Sequence, residues 1–348
     1  MEVELIFKIS LVIVMFAISL GIAAYATYGE RKFAAWFQDR MGPSNAGPWG
    51  LLQPLADGGK MFFKEDFIPA ASEKFLFILA PCIAMLTALM TSAVIPWTTD
   101  VVVMGQILSV QVADLDIGIL YVLGFVSIGV YGIMIGGWSS NNKYSLMGAV
   151  RASSQMISYE LAMGLSLLAI IIMTGSLGLR EIVDGQTGSF LGFLPNWNVF
   201  KQPLGFLLFL ICAFAETNRA PFDLPECETE LVGGYHTEYS SMKLGFFLFA
   251  EYINMFISSA VIATVYFGGY HFPYLNRMIS DPNMLAAAGF AVFFAKIFFF
   301  IFLYMWVRWT LPRFRYDQLM HLGWKTLIPI AVLNLLLTGA VMILKDYI

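Results

Sequence analysis

Acidic residues crowd into one short stretch between two apolar segments. Glu216 to Ser240 reads ETNRAPFDLPECETELVGGYHTEYS and sets Glu216, Asp223, Glu226, Glu228, Glu230 and Glu238 against a single cation, Arg219. Pro221 and Pro225 exclude one continuous helix, because each lacks a backbone donor and clashes one turn back. If the segment after Pro225 winds into a turn, Glu226 and Glu230 share a face and repel. A solvated acidic loop is the ordinary explanation of such a run. Here, however, acids continue into the apolar sequence, where charge is expensive. Glu160 and Glu251 lie inside apolar runs, as does Lys296. A carboxylate in that setting must pair, meet water or hold its proton. One such residue is explained by a structural ion pair. Glu160, Glu216 and Glu251 together, with the acidic connector feeding two of their segments, read as a hydrated proton path.

These acids sit in a chain that is 59% hydrophobic and only 13% charged, with a mean hydropathy of +0.73. A soluble domain carries about 25% charged residues, so the composition is that of an all-α polytopic membrane protein. Apolar runs occur at about 5–28, 75–97, 117–138, 153–175, 203–215, 244–267, 284–309 and 326–344. All but the fifth reach the roughly 20 residues needed to cross a bilayer. A short or broken helix is a usual place for an intramembrane site. The first run competes with a signal peptide, since Ala24-Tyr25-Ala26 resembles a cleavage site. Glu2 and Glu4 outweigh Lys8, and the run is too long for that reading.

Eight crossings place both termini on one side. The connectors 29–74, 139–152, 216–243 and 310–325 hold most of the Lys and Arg, which predicts that they face the cytoplasm and that the termini face outward. No soluble domain or repeat interrupts the chain, which reads as one membrane domain over 1–348.

The first connector holds turn signals at Gly42-Pro43, Gly47-Pro48 and Gly58-Gly59. Within it, Leu51, Leu52, Leu55, Phe62 and Phe63 form an apolar face, with Asp57, Lys60 and Lys64 elsewhere. That pattern predicts a short, broken amphipathic helix in the membrane interface. A helix that merely covers the bundle fits the pattern equally well, as does one lining a passage for an amphipathic lipid. The last connector, Arg308 to Met320, reads as a positive-inside anchor with interfacial aromatics; Arg313, Arg315 and Asp317 could also dock an acidic partner.

The three cysteines, Cys82, Cys212 and Cys227, form no close-spaced metal motif. His236, His271 and His321 fall in connectors, and there is neither an iron–sulfur cysteine run nor a Gly-rich nucleotide fingerprint. The chain is expected to bind no redox cofactor or metal of its own, and no nucleic acid.

Several of these stretches resemble one family. Glu30-Arg31-Lys32, Gln38–Gly50, Leu52–Lys60, Ile157–Glu160, Glu216–Ser240, Glu251–Asn254 and Pro312–Met320 are similar, in order, to motifs of the H subunits of bacterial NADH–quinone oxidoreductase, the respiratory complex I, and of their mitochondrial counterpart, NADH dehydrogenase subunit 1. The resemblance covers nearly the whole chain, and ETNRAPFDLPE is its most specific motif. It implies an eight-helix protein that joins a peripheral redox arm to a membrane arm in a proton-pumping complex of the bacterial inner membrane. Quinone is the implied substrate, entering between the first helix, the interfacial helix and the sixth. NADH, FMN and iron–sulfur clusters belong to partner subunits. Arg31, Arg40, Asp57 and Lys60, with Phe62 and Phe63 nearby, are implied along the quinone tunnel. Glu216, Arg219, Asp223, Glu226, Glu228 and Glu230 are implied in the acidic connector beside it, with Glu160 and Glu251 continuing into the membrane. Partners are the peripheral quinone-site subunits, small membrane-arm subunits and lipid. Two rival readings are the membrane subunit of an energy-converting hydrogenase and a free-standing ion transporter.

Overall fold

The computed structural model describes residues 2–190, 194–224, 231–273, 275, 279 and 281–347. Glu226, Glu228 and Glu230 lie outside the described residues, as do Pro225 and Cys227.

Among the described residues, seven helical stretches are long and apolar enough to cross a membrane, so the chain is a multi-pass membrane protein. They are α1 (Glu2–Phe37), α3 (Lys74–Thr91), α4 (Gly118–Ser139), α5 (Lys143–Thr174), α9 (Ser241–Tyr266), α10 (Pro282–Thr310) and the final stretch. The last comprises α11 (Tyr316–His321) and α12 (Ile328–Tyr347), joined through a wide turn at Leu322–Leu327. His321 closes the short helix α11.

Local chemistry sets several of these ends. Asn142 caps α5 by accepting from the Tyr144 backbone N–H at 2.9 Å, and Gly175 ends it in the left-handed region at φ 74°. The cap starts α5 ten residues before the apolar run at 153, so Lys143 and Arg151 are helical. Glu160 is therefore about 25 Å along its helix from Lys143. Asp281 caps α10 in the same way, with Pro282 in its first turn.

The fifth apolar run forms α8 (Pro203–Glu216), 14 residues or about 21 Å long. It does not continue past Glu216. A four-residue helix, α7 (Asn198–Lys201), precedes it, and the break falls at Gln202, with φ −133° and ψ 58°. The Gln202 side chain ties the break to α12 by donating to Thr338 Oγ1 at 2.6 Å and accepting from Asn334 Nδ2 at 3.2 Å.

In the first connector, α2 (Gln53–Phe63) is continuous. The Gly58-Gly59 pair expected to mark a turn is helical. Gln53 donates to Asp57 four residues on, and a Cβ at either glycine would meet nothing within 4 Å. Pro54 in the first turn favours the helix, and open surroundings let the glycines follow it. By contrast, Gly50 does make a turn: its φ is 82°, and a Cβ there would run into the Pro43 carbonyl.

Small residues let the helices approach closely. A Cβ on Gly132 of α4 would lie 2.9 Å from the Ala84 backbone nitrogen of α3. Gly148 of α5 has the Tyr235 backbone nitrogen at 2.8 Å from the same imagined atom. The connectors collect at two ends. At one, Asn142 donates to Glu238, Ser241 donates to Met61 and the Phe314 N–H donates to Pro221. At the other, Arg180 pairs with Asp100, Thr98 donates to Ala286, and Asn283 bonds both backbone groups of Val102 in the hairpin of β1 (Val101–Val103) and β2 (Gln106–Leu108). A second short pairing joins β3 (Ser189–Phe190) to β4 (Leu194–Pro195) between α6 (Leu179–Asp184) and α7.

Candidate functional site: a charged cleft beside an acid-lined cavity

A cleft opens between α1, α2, α9 and α10. Its charged lining comprises Glu30 and Arg31 from α1, Asp57 and Lys60 from α2, and Arg308 from α10. Arg31 Nη1 reaches Asp57 Oδ2 at 2.7 Å, while Lys60 Nζ is 3.8 Å from the other carboxylate oxygen. Apolar side chains of α9, Leu248 and Phe249, complete the walls. A cleft with apolar walls and a charged mouth suits a ligand with a polar head and an apolar tail.

Glu30 forms the floor. It is buried, and its Oε1 pairs with Arg308 Nη1 at 2.6 Å. Its Oε2 accepts from Arg219 Nη1 at 2.8 Å and from the Tyr252 hydroxyl at 2.8 Å. The Arg219 guanidinium lies over the Tyr252 ring at 4.1 Å from its centre. Burial pushes the Arg219 guanidinium down, but Tyr252, Glu30 and Glu251 together hold it above its ordinary value. Arg219 is therefore a fixed cation, with its Nε left without a hydrogen bond among the described residues.

Behind this floor lies a second space, lined from α3, α4, α5, α8 and α9. Glu216, Glu251, Asn254, Ser258, Thr87 and Thr91 give it polar lining. Glu251 accepts from the Tyr235 hydroxyl at 3.0 Å. Glu216 Oε2 has no hydrogen-bond partner among the described residues. Glu160 is not part of the lining. It accepts from the Ser127 hydroxyl beside the cavity, within electrostatic range of Glu216.

Gln155 positions Glu216. Its amide, fully buried, donates to the carbonyls of Ala215 and Phe222, each at 2.9 Å. The first bond satisfies one orphan carbonyl at the end of α8, and the second holds the connector that follows.

The connector also meets the last one. Asp223 Oδ2 lies 2.9 Å from Arg313 Nη2, and Phe222 packs on Phe314. Arg315 and Asp317 pair with each other in the open, with side chains 75% and 64% exposed, so solvent is free to screen them. The bond to Asp317 raises the Arg315 guanidinium above its ordinary value.

The structure thus gathers Arg31, Asp57 and Lys60 at one cleft and Glu216 and Glu251 at one cavity. It leaves Arg40 outside both, where the exposed side chain donates to Gln38. Phe62 and Phe63 stand 69% and 86% exposed on α2 and do not line the cleft. Sequence reasoning missed Glu30, Arg308, Tyr252, Tyr235 and Gln155. Among the described residues, no group of three His, Cys, Asp or Glu is placed to hold a metal. Cys212 is buried and Cys82 half-buried, both as free thiols.

The NADH dehydrogenase family model matches residues 9–339. An H subunit of the NADH-quinone oxidoreductase of Cytophaga hutchinsonii is 61% identical over 337 residues, 97% of each chain. The H subunit of the Flavobacterium psychrophilum enzyme is 60% identical over 99% of each chain. One from Geobacter sulfurreducens is 48% identical over 96% of this chain and 94% of its own. With that identity along nearly its whole length, the chain belongs to the family of NADH–quinone oxidoreductase H subunits.

Proposed function

We propose that the cleft admits quinone and that the cavity carries the proton movement coupled to its reduction. One observation carries this reading: Arg219 bonds Glu30 on the floor of the cleft and acts electrostatically on Glu251 in the wall of the cavity. A change of charge beside Glu30 is felt by the acids behind it through one immobile guanidinium. Asp57 and Lys60 orient the quinone headgroup at the mouth, and Leu248 and Phe249 accommodate its tail. Glu216 and Glu251, with Glu160 beside them, hold and pass protons through water in the cavity. Asp223 ties the connector to Arg313, while Glu226, Glu228 and Glu230 add to the connector's negative charge. Arg313, Arg315 and Asp317 face a peripheral partner subunit. NADH, FMN and iron–sulfur clusters reside in partners, and this chain contributes no redox centre. Relatives named for NADH–quinone oxidoreductase favour this reading over a hydrogenase component or a free-standing transporter.

α7 and α8 together supply an eighth crossing as a broken helix. The chain lies in the bacterial inner membrane with α2 and the basic connectors on the cytoplasmic side and both termini outside. A Cys at Gln106 should react with an impermeant maleimide from outside while one at Lys143 does not; the reverse pattern contradicts this orientation. For the cleft, a long-tailed photoreactive quinone added to the isolated complex should label peptides of α1, α2 and α9. Labelling confined to other parts of this chain would contradict the proposed path.

A further inference from the structure

The acid cavity stops abruptly at the end that carries the β1–β2 hairpin. On α9 its lining reaches Val261, and Val265 one turn on is fully buried. On α5 the lining reaches Leu167, and Ile170 beyond it is fully buried. On α3 it reaches Thr91, after which Val94, Ile95 and Trp97 are sealed in. Polar walls thus give way to a dry apolar band.

Over this band lies the loop that follows α9, and a half-buried lysine holds it. Lys296 of α10 donates to the carbonyls of Phe267, Gly269 and His271 at 2.7, 2.6 and 2.7 Å. All three ammonium donors are used, and the charge lies 5.0 Å from the centre of the Trp197 ring. Gln186 adds four bonds. Its oxygen accepts from the backbone N–H groups of Asn198 and Gly268, and its amide donates to the carbonyls of Ile182 and Thr264. The loop fits so closely that a Cβ on Gly268 would lie 3.0 Å from Trp197, and one on Gly269 2.9 Å from Val183.

We propose that Lys296 bolts a proton-tight cap over this end of the acid cavity, so that protons reach and leave the cavity elsewhere but never through the cap. Tight apolar packing, held in place by the three Lys296 bonds, excludes the water through which protons would pass. The proposal deepens the reading of the cavity as a proton carrier and rests on it. Removing the ammonium takes away the donor that these three carbonyls share, and water drawn in to satisfy them would open a leak.

The test uses the whole complex in phosphatidylcholine vesicles. A potassium diffusion potential drives passive proton entry without turnover, and proton pumping per electron is measured separately. Lys296→Met should raise the passive proton conductance several-fold and lower the pumped yield, while quinone reduction in detergent stays near the parent rate. An assembled Lys296→Met complex with parental conductance overturns the proposal. If that variant does not assemble, Gly268→Ala displaces the same loop with Lys296 retained, and a leak or its absence decides in the same way. Failure of the cavity reading itself shows differently, as a Glu251→Gln complex that pumps normally with no change in conductance.

Discussion

Arg219 Nη1 lies 2.8 Å from Glu30 Oε2, joining positions 189 residues apart in the chain. One carboxylate of α1 is thereby shared by Arg219, by Arg308 of α10 and by the Tyr252 hydroxyl of α9. The bond ties the acidic connector to the floor of the cleft.

Glu30→Gln tests the structural side of this arrangement. The substitution leaves Arg219 and Arg308 close together without their shared anion. Removing one partner of a buried pair costs about 3–5 kcal/mol. The expected outcome is a marked loss of assembled complex, read by native gel and by thermal stability of what remains. Parental stability would mean that water neutralises the cluster and that the pair is not structural.

The same cluster shows what the sequence could and could not disclose. The apolar runs, the embedded Glu160 and Glu251, and the grouping of Arg31, Asp57 and Lys60 were legible from composition, spacing and motif. Glu30 was not, because a Glu followed by Arg31 and Lys32 looks like an ordinary charged helix end. Its burial depends on partners in α9, α10 and the connector 216–243, which no local pattern reveals. Tyr252 was hidden because an aromatic residue in an apolar segment reads as packing, and Tyr235 because nothing local in the connector points it at Glu251. The start of α5 at Lys143 and the run of α2 through Gly58-Gly59 were set by a cap and by open space, both of which outweigh turn propensity.

Glu160→Gln and Glu251→Gln separate proton transfer from structure. Gln keeps the volume and can still accept from Ser127 or Tyr235, but it cannot carry a proton. Both variants should assemble normally and lose turnover and pumping. Assembly is read by native gel, and pumping by a pH-sensitive dye in sealed membranes. Normal pumping with normal quinone reduction in both would remove these acids from the path.

Gly148 reports on how the cavity wall is held. An added methyl would press on the backbone of Gly234 and Tyr235 at 2.8–2.9 Å, moving the tyrosine that bonds Glu251. Overpacking of this kind costs about 1–3 kcal/mol. Gly148→Ala should lower both the melting temperature and quinone reduction. Gly164→Ala, on the same helix with nothing within 4 Å of the new methyl, should change neither. Equal effects at the two positions would contradict the packing account.

The central claim is that Arg219 couples the cleft to the cavity, and Arg219→Lys addresses it most directly. Lysine keeps the charge but loses the planar fork that bonds Glu30 while lying over Tyr252. The measurement is paired on one membrane preparation: NADH oxidation by an artificial acceptor against NADH-driven quinone reduction and its proton pumping. The account predicts that the first survives while the second falls about tenfold, equivalent to about 1.4 kcal/mol in the barrier. Full quinone reduction and full pumping in an assembled Arg219→Lys complex would contradict it.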